Sequence, residues 1–276
     1  MTRVGFIGLG SQGAPMARRI VDAGYPTTLW ARKPATLEPF ADSAAATVAT
    51  LAELGATSDV LCVCVVDDEG VDEVLRGPRG ALATMADGSV VVVHSTVQPV
   101  TCVRLQHDFP ALHVVDAPVS GGGHQAAAGE LLVMAGGPAP VVARCRPILE
   151  TFGNPVVHVG RLGAGQEVKL LNNIVFTAQL ALAAEVFELA AARHLDQAAV
   201  ATILACGSGR SYAAEVVASG GFTLDGLGAV AGPLLAKDVG ILADHAALTN
   251  STLVIAADAA LERMGVARPA SEGGRP

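Results

Sequence analysis

Two polar residues in one apolar helical stretch could carry acid–base chemistry. The segment "GAGQEVKLLNN", residues 163–173, places Lys169 and Asn173 four residues apart, so they share one face of a helix, one turn from each other. Asn172 and Asn173 are poor formers of a helix interior and need a polar reason to be there. Lys169 could act as a general acid or base if burial or a nearby cation lowers its pKa. A solvated helix lysine beside a domain-contact asparagine is the alternative.

A hydroxyl followed by glycines could bind a carboxylate. The segment "DAPVSGGGHQAAAGELLVMAGG", residues 116–137, contains Ser120 followed by Gly121, Gly122 and Gly123. Unhindered backbone N–H groups beside a hydroxyl form a concavity that suits an anion. Taken alone, the same residues are equally well explained as a structural glycine loop.

Three glycines near the N-terminus could hold a pyrophosphate. In "VGFIGLGSQG", residues 4–13, an apolar strand leads into Gly8, Gly10 and Gly13, and a helical pattern follows. In a dinucleotide site the first glycine permits a tight turn, the second a close approach of the pyrophosphate, and the third close helix–strand packing. The helix N-terminus then offers free N–H groups to the phosphates. The alternative is a plain tight turn between strand and helix.

The end of the second strand should select the cofactor. An NAD site usually has an acid there, which bonds the ribose 2′-hydroxyl. The segment "LWARKPATL" has Ala31 at that position, followed by Arg32 and Lys33. A missing acid followed by two cations suits a 2′-phosphate, because arginine can pair with it bidentately. We therefore predict NADP(H), with NAD as the alternative; a solvated surface Arg–Lys pair would explain the same residues without a phosphate.

The elements that must position these residues form two regions. The first ~160 residues alternate apolar strands with amphipathic stretches, as in repeated β-α units. Strands that are apolar on both faces, such as "VLCVCVV" and "SVVVVH", favour a parallel sheet covered by helices on both sides. The predicted strands are Arg3–Ile7, Thr27–Trp30, Val60–Val65, Val90–His94, His113–Val115, Leu131–Ala135 and Val156–Val159.

The second region is predicted to be helical throughout. One long helix is expected from Gly165 to about His194, and no strand pattern returns after it. The fold class is therefore α/β: a Rossmann-type doubly wound sheet over residues 1–162, then an all-α domain over residues 163–265, joined by a long interdomain helix. The polar, proline- and glycine-rich tail 266–276 is expected to be disordered.

Composition excludes several classes of function. The 276 residues carry a net charge of −8 without any lysine or arginine run, so a nucleic-acid partner is not expected. The longest apolar candidate, residues 174–184, already contains Thr177 and Gln179, whereas a membrane span needs roughly 20 mostly apolar residues. The first strand begins at once, so no signal peptide is expected.

The cysteines predict a reducing compartment. All five (Cys62, Cys64, Cys102, Cys145 and Cys206) are interpreted as small buried apolar residues, with Cys62 and Cys64 on one face of a strand. No Cys/His spacing is typical of zinc, and no metal is expected. We predict a cytoplasmic protein.

Taken together, these segments resemble the β-hydroxyacid dehydrogenase family, over about residues 3 to 265. Four motifs occur in the family's order: the cofactor turn, with Gln12 where methionine is commonest; "HSTVQP", residues 94–99; "DAPVSGG" with "GxxxKxxxN"; and "KDVGILAD", residues 237–244, which carries Lys237 and Asp238.

The resemblance implies a role for each matching residue. Lys169 would exchange a proton with the substrate's carbonyl or hydroxyl oxygen, and Asn173 would hold that oxygen or the lysine in line. Ser120, Gly121 and Gly122 would bind the substrate carboxylate, and Lys169 and Asn173 would also contact the substrate. Ser120 would be a catalytic residue together with Lys169 and Asn173. Residues in contact with the cofactor would be Gly8, Leu9, Gly10, Ser11, Gln12, Gly13, Ala31, Arg32, Lys33, Val65, Val66, Thr96 and Lys237. The helical domain would form a homodimer or homotetramer.

Three functions remain open from the sequence. The first is an oxidoreductase that moves a hydride between NADP(H) and a small 3-hydroxy acid or its semialdehyde. The second is an imine reductase, or a reductase of an unusual, less polar substrate, on the same scaffold; such enzymes generally lack the catalytic lysine. A glycine- and alanine-rich region before Lys237, residues 221–236, is where bulky groups often shape the family's substrate pocket. The third is a non-catalytic dinucleotide-binding protein.

Overall fold

The computed structural model describes residues 1–244, 248 and 251–269, which form two compact units. The first unit is Met1–Lys169 and the second begins at Leu170. The division falls inside the helix Ala164–Ala192. This helix is continuous because it contains neither a proline nor a glycine after its second residue. The last seven residues of the predicted disordered tail, 270–276, lie outside the described residues.

The first unit is built on a nine-stranded sheet. Its strand order, β3-β2-β1-β4-β5-β6-β8-β7 with β9 paired to β8, contains the 3-2-1-4-5-6 order of a dinucleotide-binding fold. The strands are β1 Val4–Ile7, β2 Thr27–Trp30, β3 Ala46–Thr47, β4 Val60–Val63, β5 Val90–Val93, β6 His113–Asp116, β7 Val119–Ser120, β8 Leu131–Gly136 and β9 Gly153–Gly160. The predicted Rossmann-type sheet is confirmed.

Helices cover both faces of this sheet. They are α1 Gly13–Asp22, α2 Leu51–Ala56, α3 Asp68–Leu75, α4 Pro99–Asp108, α5 Gly122–Ala128 and α6 Ala139–Leu149, with 3-10 turns at Pro34–Phe40 and Ala81–Thr84. Alternate residues of β4 pack into two separate apolar cores: Cys62 lies in one, and Leu61 and Val63 lie in the other. Two covered faces explain why these strands carry apolar residues at every position.

Two details of the sheet differ from the prediction. β8 is antiparallel to β6 and β7, so the sheet is not parallel throughout. The direction of pairing does not change the apolar pattern within a strand, so the sequence of β8 could not reveal it. β3 and β7 were not predicted, because two residues are too few to show alternation.

The second unit is helical, as predicted. It consists of the remainder of α7 Ala164–Ala192, then α8 Gln197–Cys206, α9 Tyr212–Ser219, α10 Asp225–Ala243 and α11 Thr252–Arg263. Side-chain caps begin three of these helices: Asp196 bonds the backbone N–H of Ala198, Ser211 that of Ala214, and Ser251 that of Val254. By length and hydropathy α7 and α10 could each cross a membrane, but half of each apolar stretch is buried within the protein, as in core helices.

The predicted burial of the cysteines is confirmed for three of the five residues and in part for a fourth. Cys62, Cys102 and Cys145 are buried, and Cys64 is partly buried against the same core as Cys62, as the strand alternation predicted. Cys206, predicted to be buried, is exposed. It is the last residue of α8. The sequence of α8 is apolar, but none of its residues is buried, so apolar sequence was not a guide to burial in this helix.

A buried histidine makes the first unit sensitive to acid. The His94 ring is 3% exposed, stacks on Phe6 with centroids 6.4 Å apart, and meets the Phe152 ring edge-on at 5.5 Å. Its Nδ1 lies 2.8 Å from the Ala117 carbonyl oxygen, an acceptor, which assigns the proton to Nδ1. Burial lowers the His94 pKa to about 4, although the bond to Ala117 opposes this shift. The folded protein therefore keeps this ring neutral over a pH range in which the unfolded chain binds a proton.

We expect acid to remove stability through His94. An unfolded histidine titrates near pH 6.5, so the contribution of a neutral buried ring is complete above that pH and declines as pH falls toward 4. Between pH 7 and pH 5 the free energy of unfolding should fall by about 2 kcal/mol through this residue. Denaturant unfolding of the wild-type protein and of His94→Leu at both pH values measures this loss of unfolding free energy. Equal acid losses in the two proteins would contradict the prediction.

Candidate active site

The glycine turn joins β1 to α1 and leaves one open position. Gly8 has a φ of +94°, and a side chain on it would overlap the Cys64 carbonyl oxygen at the end of β4. A side chain on Gly13 would overlap the Gly8 carbonyl oxygen. Around Gly10, in contrast, no atom lies within 4 Å of where a Cβ would stand. The backbone is therefore tightly packed at Gly8 and Gly13, whereas the space beside Gly10 is empty. Such a space fits a site where a phosphate approaches the backbone.

The segment that contains Thr96 is fixed beside the end of β4. The backbone N–H of Val65 donates to the Ser95 hydroxyl at 2.8 Å. Thr96 is partly exposed, whereas its neighbours Ser95 and Val97 are buried. Val66 is 64% exposed. Within the first unit, the structure thus places the segment after β4 against the glycine turn, and the segment after β5 against the segment after β4.

The predicted phosphate-binding arginine already has an acidic partner. Ala31 is partly buried after β2, and Arg32 and Lys33 are exposed. A guanidinium nitrogen of Arg32 lies 2.6 Å from a carboxylate oxygen of Glu73 on α3, in a pair whose side chains are 65% and 58% exposed. Exposed pairs of this kind contribute about 0–1 kcal/mol, so an incoming phosphate could displace Glu73. Glu73 was not predicted, because α3 lies some 40 residues away along the chain.

The Ser120 loop passes close to the glycine turn. Ser120 ends β7, and Gly121 and Gly122 follow with φ of +132° and +72°, in the region that favours glycine. A Cβ on Gly123 would lie 2.5 Å from the Ser11 carbonyl oxygen, so the two loops are neighbours. The predicted carboxylate-binding loop therefore lies beside the predicted pyrophosphate-binding turn, although the two loops are more than 100 residues apart in the chain.

The first turn of α7 is bound to a buried carboxylate. Asp116, at the end of β6, is fully buried and accepts hydrogen bonds from the backbone N–H groups of Gly163 at 2.7 Å and Gln166 at 2.8 Å. Burial raises the Asp116 pKa, and these N–H donors act in the opposite direction. No role was predicted for Asp116, although it opens the motif that contains Ser120. An acid directly after an apolar strand is the signal that could have identified it.

Lys169 and Asn173 are both buried on α7. Lys169 is 8% exposed and Asn173 9% exposed, so the interpretation of Lys169 as a solvated lysine is wrong. The Asn173 side-chain nitrogen donates to Oδ2 of Asp238 at 2.6 Å, and Lys237 Nζ lies 2.9 Å from Oδ1 of the same carboxylate. Asp238 therefore fixes the orientation of the Asn173 amide and also holds Lys237. Asp238 was quoted in a motif but not predicted as a site residue.

Comparisons with known proteins cover almost the whole chain. The NAD-binding domain of 6-phosphogluconate dehydrogenase matches residues 3–160, and the NAD-binding domain of NADP-dependent 3-hydroxyisobutyrate dehydrogenase matches residues 163–274. L-threonate dehydrogenase from Cupriavidus necator is 32% identical, over 98% of this chain and 92% of the relative.

Solved structures show the same relationship. The 3-hydroxyisobutyrate dehydrogenase of Mycobacterium tuberculosis, studied with L-serine, is 26% identical with a TM-score of 0.83 and covers 97% of this chain and 95% of its own. Psf3, in complex with NADP+ and 2-OPP, is 27% identical with a TM-score of 0.84, over 96% and 95%. An imine reductase from Pseudomonas sp. is only 17% identical with a TM-score of 0.65, over 95% and 90%, which is a likeness of fold alone.

Proposed function

This chain belongs to the 3-hydroxyisobutyrate dehydrogenase group of the β-hydroxyacid dehydrogenase family, whose members are NAD(P)-dependent oxidoreductases, and we propose that it transfers a hydride between NADP(H) and a small 3-hydroxy acid or its semialdehyde. The observation that carries the proposal is the buried pair on α7: an amine and an amide one turn apart, in a helix that is otherwise largely apolar. A binding protein without chemistry has no need of a buried lysine at that position.

The chain's own groups supply the proton and hold the substrate. A bound nicotinamide would supply the hydride chemistry at the substrate carbon. In the reducing direction Lys169 Nζ gives a proton to the carbonyl oxygen, and in oxidation it takes the proton from the hydroxyl. Asn173, oriented by Asp238, holds that oxygen or the lysine in line. Ser120 and the N–H groups of Gly121 and Gly122 bind the carboxylate.

The cofactor contacts of this proposal that the structure supports lie in the first unit. The open position at Gly10 and the N-terminus of α1 would accept the pyrophosphate. The Val65–Val66 and Thr96 segments, joined by the Val65–Ser95 bond, would hold the nicotinamide end, and Arg32 with Lys33 would pair with a 2′-phosphate. The complex of Psf3 with NADP+ supports this choice of cofactor. Glu73 then competes with the phosphate for Arg32.

We expect Arg32 to determine cofactor preference and Glu73 to moderate it. Arg32→Ala should raise the KM for NADP+ by roughly 10-fold or more and leave that for NAD+ within about twofold, because only the phosphate loses a charged partner. Glu73→Gln should lower the KM for NADP+ by up to about fivefold, since an exposed pair contributes little. Asp42→Asn, which breaks the exposed pair with Arg18, is the matched control.

Absorbance at 340 nm with each cofactor, over a panel of short 3-hydroxy acids and semialdehydes, measures these values and tests the activity itself. Faster turnover by the wild-type protein with NAD+ would contradict the NADP assignment but would still support the dehydrogenase function. Cofactor binding without any turnover would favour the non-catalytic function or an unusual substrate such as an imine.

We also propose a cytoplasmic homo-oligomer formed through the helical unit. Exposed large apolar side chains recur on α7, α8 and α10, where Leu182 is 58%, Ile203 67% and Val230 79% exposed. α8 buries none of its residues within the chain although it is largely apolar. A second copy of this chain would remove these faces from water. Light scattering on the purified protein counts the subunits.

A further inference from the structure

The side chain of Gln166 is bonded on both sides of Thr96. Gln166 lies in the first turn of α7 and is fully buried. Its Nε2 donates to the Ser95 carbonyl oxygen at 2.8 Å, and its Oε1 accepts from the Val97 N–H at 3.1 Å. Both partners are backbone groups of fixed polarity, so they determine which end of the amide is oxygen and which is nitrogen. One side chain therefore holds the Thr96 segment in the way that a neighbouring strand would.

Gln166 is itself fixed, and it lies one helical turn before Lys169. Its backbone N–H donates to Asp116 at 2.8 Å. Residues three apart on a helix share a face, so Gln166 and Lys169 project from the same side of α7. Thr96, partly exposed, is presented between two buried neighbours that the Gln166 amide bonds. Gln166 thus connects the turn that carries Lys169 directly to the segment that carries Thr96.

We propose that Gln166 is a positioning residue for hydride transfer, which sets the Thr96 segment at a fixed distance from Lys169. The inference rests on the proposed function, in which Thr96 borders the nicotinamide and Lys169 exchanges the proton. Hydride and proton are delivered to the carbon and oxygen of one carbonyl, atoms about 1.2 Å apart. The groups that hold the two donors must therefore keep their separation to within about 0.5 Å.

The chain provides a matched control in Gln106. On α4, Nε2 of Gln106 donates to the Leu112 carbonyl oxygen at 2.8 Å, and Oε1 accepts from the Val114 N–H at 3.0 Å. This side chain holds His113 between two buried neighbours, in the same arrangement. No residue of the candidate active site lies in that segment. Loss of the Gln106 amide therefore removes two bonds of the same kind from the same unit, and it leaves the proposed active-site residues unchanged.

The test compares Gln166→Met with Gln106→Met, because methionine keeps the length of the side chain and removes both bonds. Kinetics use whichever cofactor the wild-type protein turns over faster, and thermal unfolding is followed in parallel. We expect both variants to lose thermal stability, and Gln166→Met to lose more, because the two bonds of Gln166 are buried and those of Gln106 are partly buried. Only Gln166→Met should lower kcat by about 10-fold or more and raise the cofactor KM about fivefold.

The KM separates positioning from loss of folded protein. A partly unfolded sample lowers the apparent kcat and leaves KM unchanged, so a rise in KM needs a folded protein with an altered site. If kcat and KM of Gln166→Met both stay within twofold of the Gln106→Met values, the proposal is wrong.

A second variant, Gln166→Glu, tests the proposal if Gln166→Met folds poorly. Gln166→Glu keeps the acceptor for Val97 and loses the donor to Ser95, and it should shift kcat and KM in the same directions. The proposed function fails separately, and the failures can be distinguished. Absence of turnover by the wild-type protein contradicts the function, and normal turnover in Lys169→Ala contradicts the role of Lys169. An inactive Lys169→Ala beside a normal Gln166→Met contradicts only this inference.

Discussion

Lys169→Ala is expected to lower kcat by about 10³-fold with little change in the dissociation constant of the cofactor. Positioned general acids and bases contribute roughly 10²- to 10⁴-fold, and the buried amine on α7 is the group that we assign to the proton. The cofactor contacts proposed for the glycine turn, Arg32 and the Thr96 segment do not pass through this side chain. Initial rates at saturating substrate, together with titration of cofactor binding, measure the two effects separately.

Lys169→Arg is the control that separates charge from proton transfer. It keeps a cation of similar length on the same helix face, but a guanidinium remains protonated and gives up no proton at neutral pH. We expect it to be nearly as inactive as the alanine variant. Turnover near the wild-type level in either variant would show that Lys169 is not the acid–base group, and the proton would then have to come from another residue.

Asp116→Ala is expected to lower the free energy of unfolding by about 3 kcal/mol. Two buried N–H groups, of Gly163 and Gln166, would lose their acceptor, and each unsatisfied buried group costs roughly 1–3 kcal/mol. The surroundings are built for a carboxylate: a Cβ on Gly136 would lie 2.5 Å from Oδ1, and one on Gly165 2.7 Å from Oδ2. Turnover should fall as well, because the first turn of α7 carries Gln166 and leads directly to Lys169.

An exposed aspartate provides the comparison for Asp116. Asp42 forms an ion pair with Arg18 while its side chain is 82% exposed, so Asp42→Ala should change the free energy of unfolding by less than about 1 kcal/mol. Urea unfolding of both variants at pH 7 measures the difference. A loss of less than 1 kcal/mol in Asp116→Ala would mean that solvent or a rearranged backbone replaces the carboxylate.

Sequence patterns by themselves determined the order and type of most elements. Strands that are apolar at every position require cover on both sides, and the alternation with helices leads to the doubly wound order that the structure shows. The long stretch without proline or glycine predicted α7 as one helix, which the structure extends over Ala164–Ala192. These properties depend on neighbours within one or two turns of chain, and such neighbours are visible in the sequence.

The residues with chemistry were also visible, because reactive groups in apolar surroundings are conspicuous. Lys169 and Asn173 stand out in α7, and Ser120 stands out before its glycines. Their partners were not visible. Asp116 binds the first turn of α7, Gln166 holds the Thr96 segment, and Glu73 pairs with Arg32. In each case the two partners are 41 to 71 positions apart in the chain.

Only the tertiary structure decided those partners, since each depends on how elements far apart in the chain come together. Asp116 meets α7 because β6 ends beside the start of that helix, and Glu73 meets Arg32 because α3 lies near the loop after β2. Cys206 is exposed for a similar reason: helix α8 packs against the helical core only through partly buried residues such as Val200 and Leu204, and Cys206 stands at its exposed end. Local sequence specifies which side chains an element offers, and the packing of distant elements specifies what each side chain contacts.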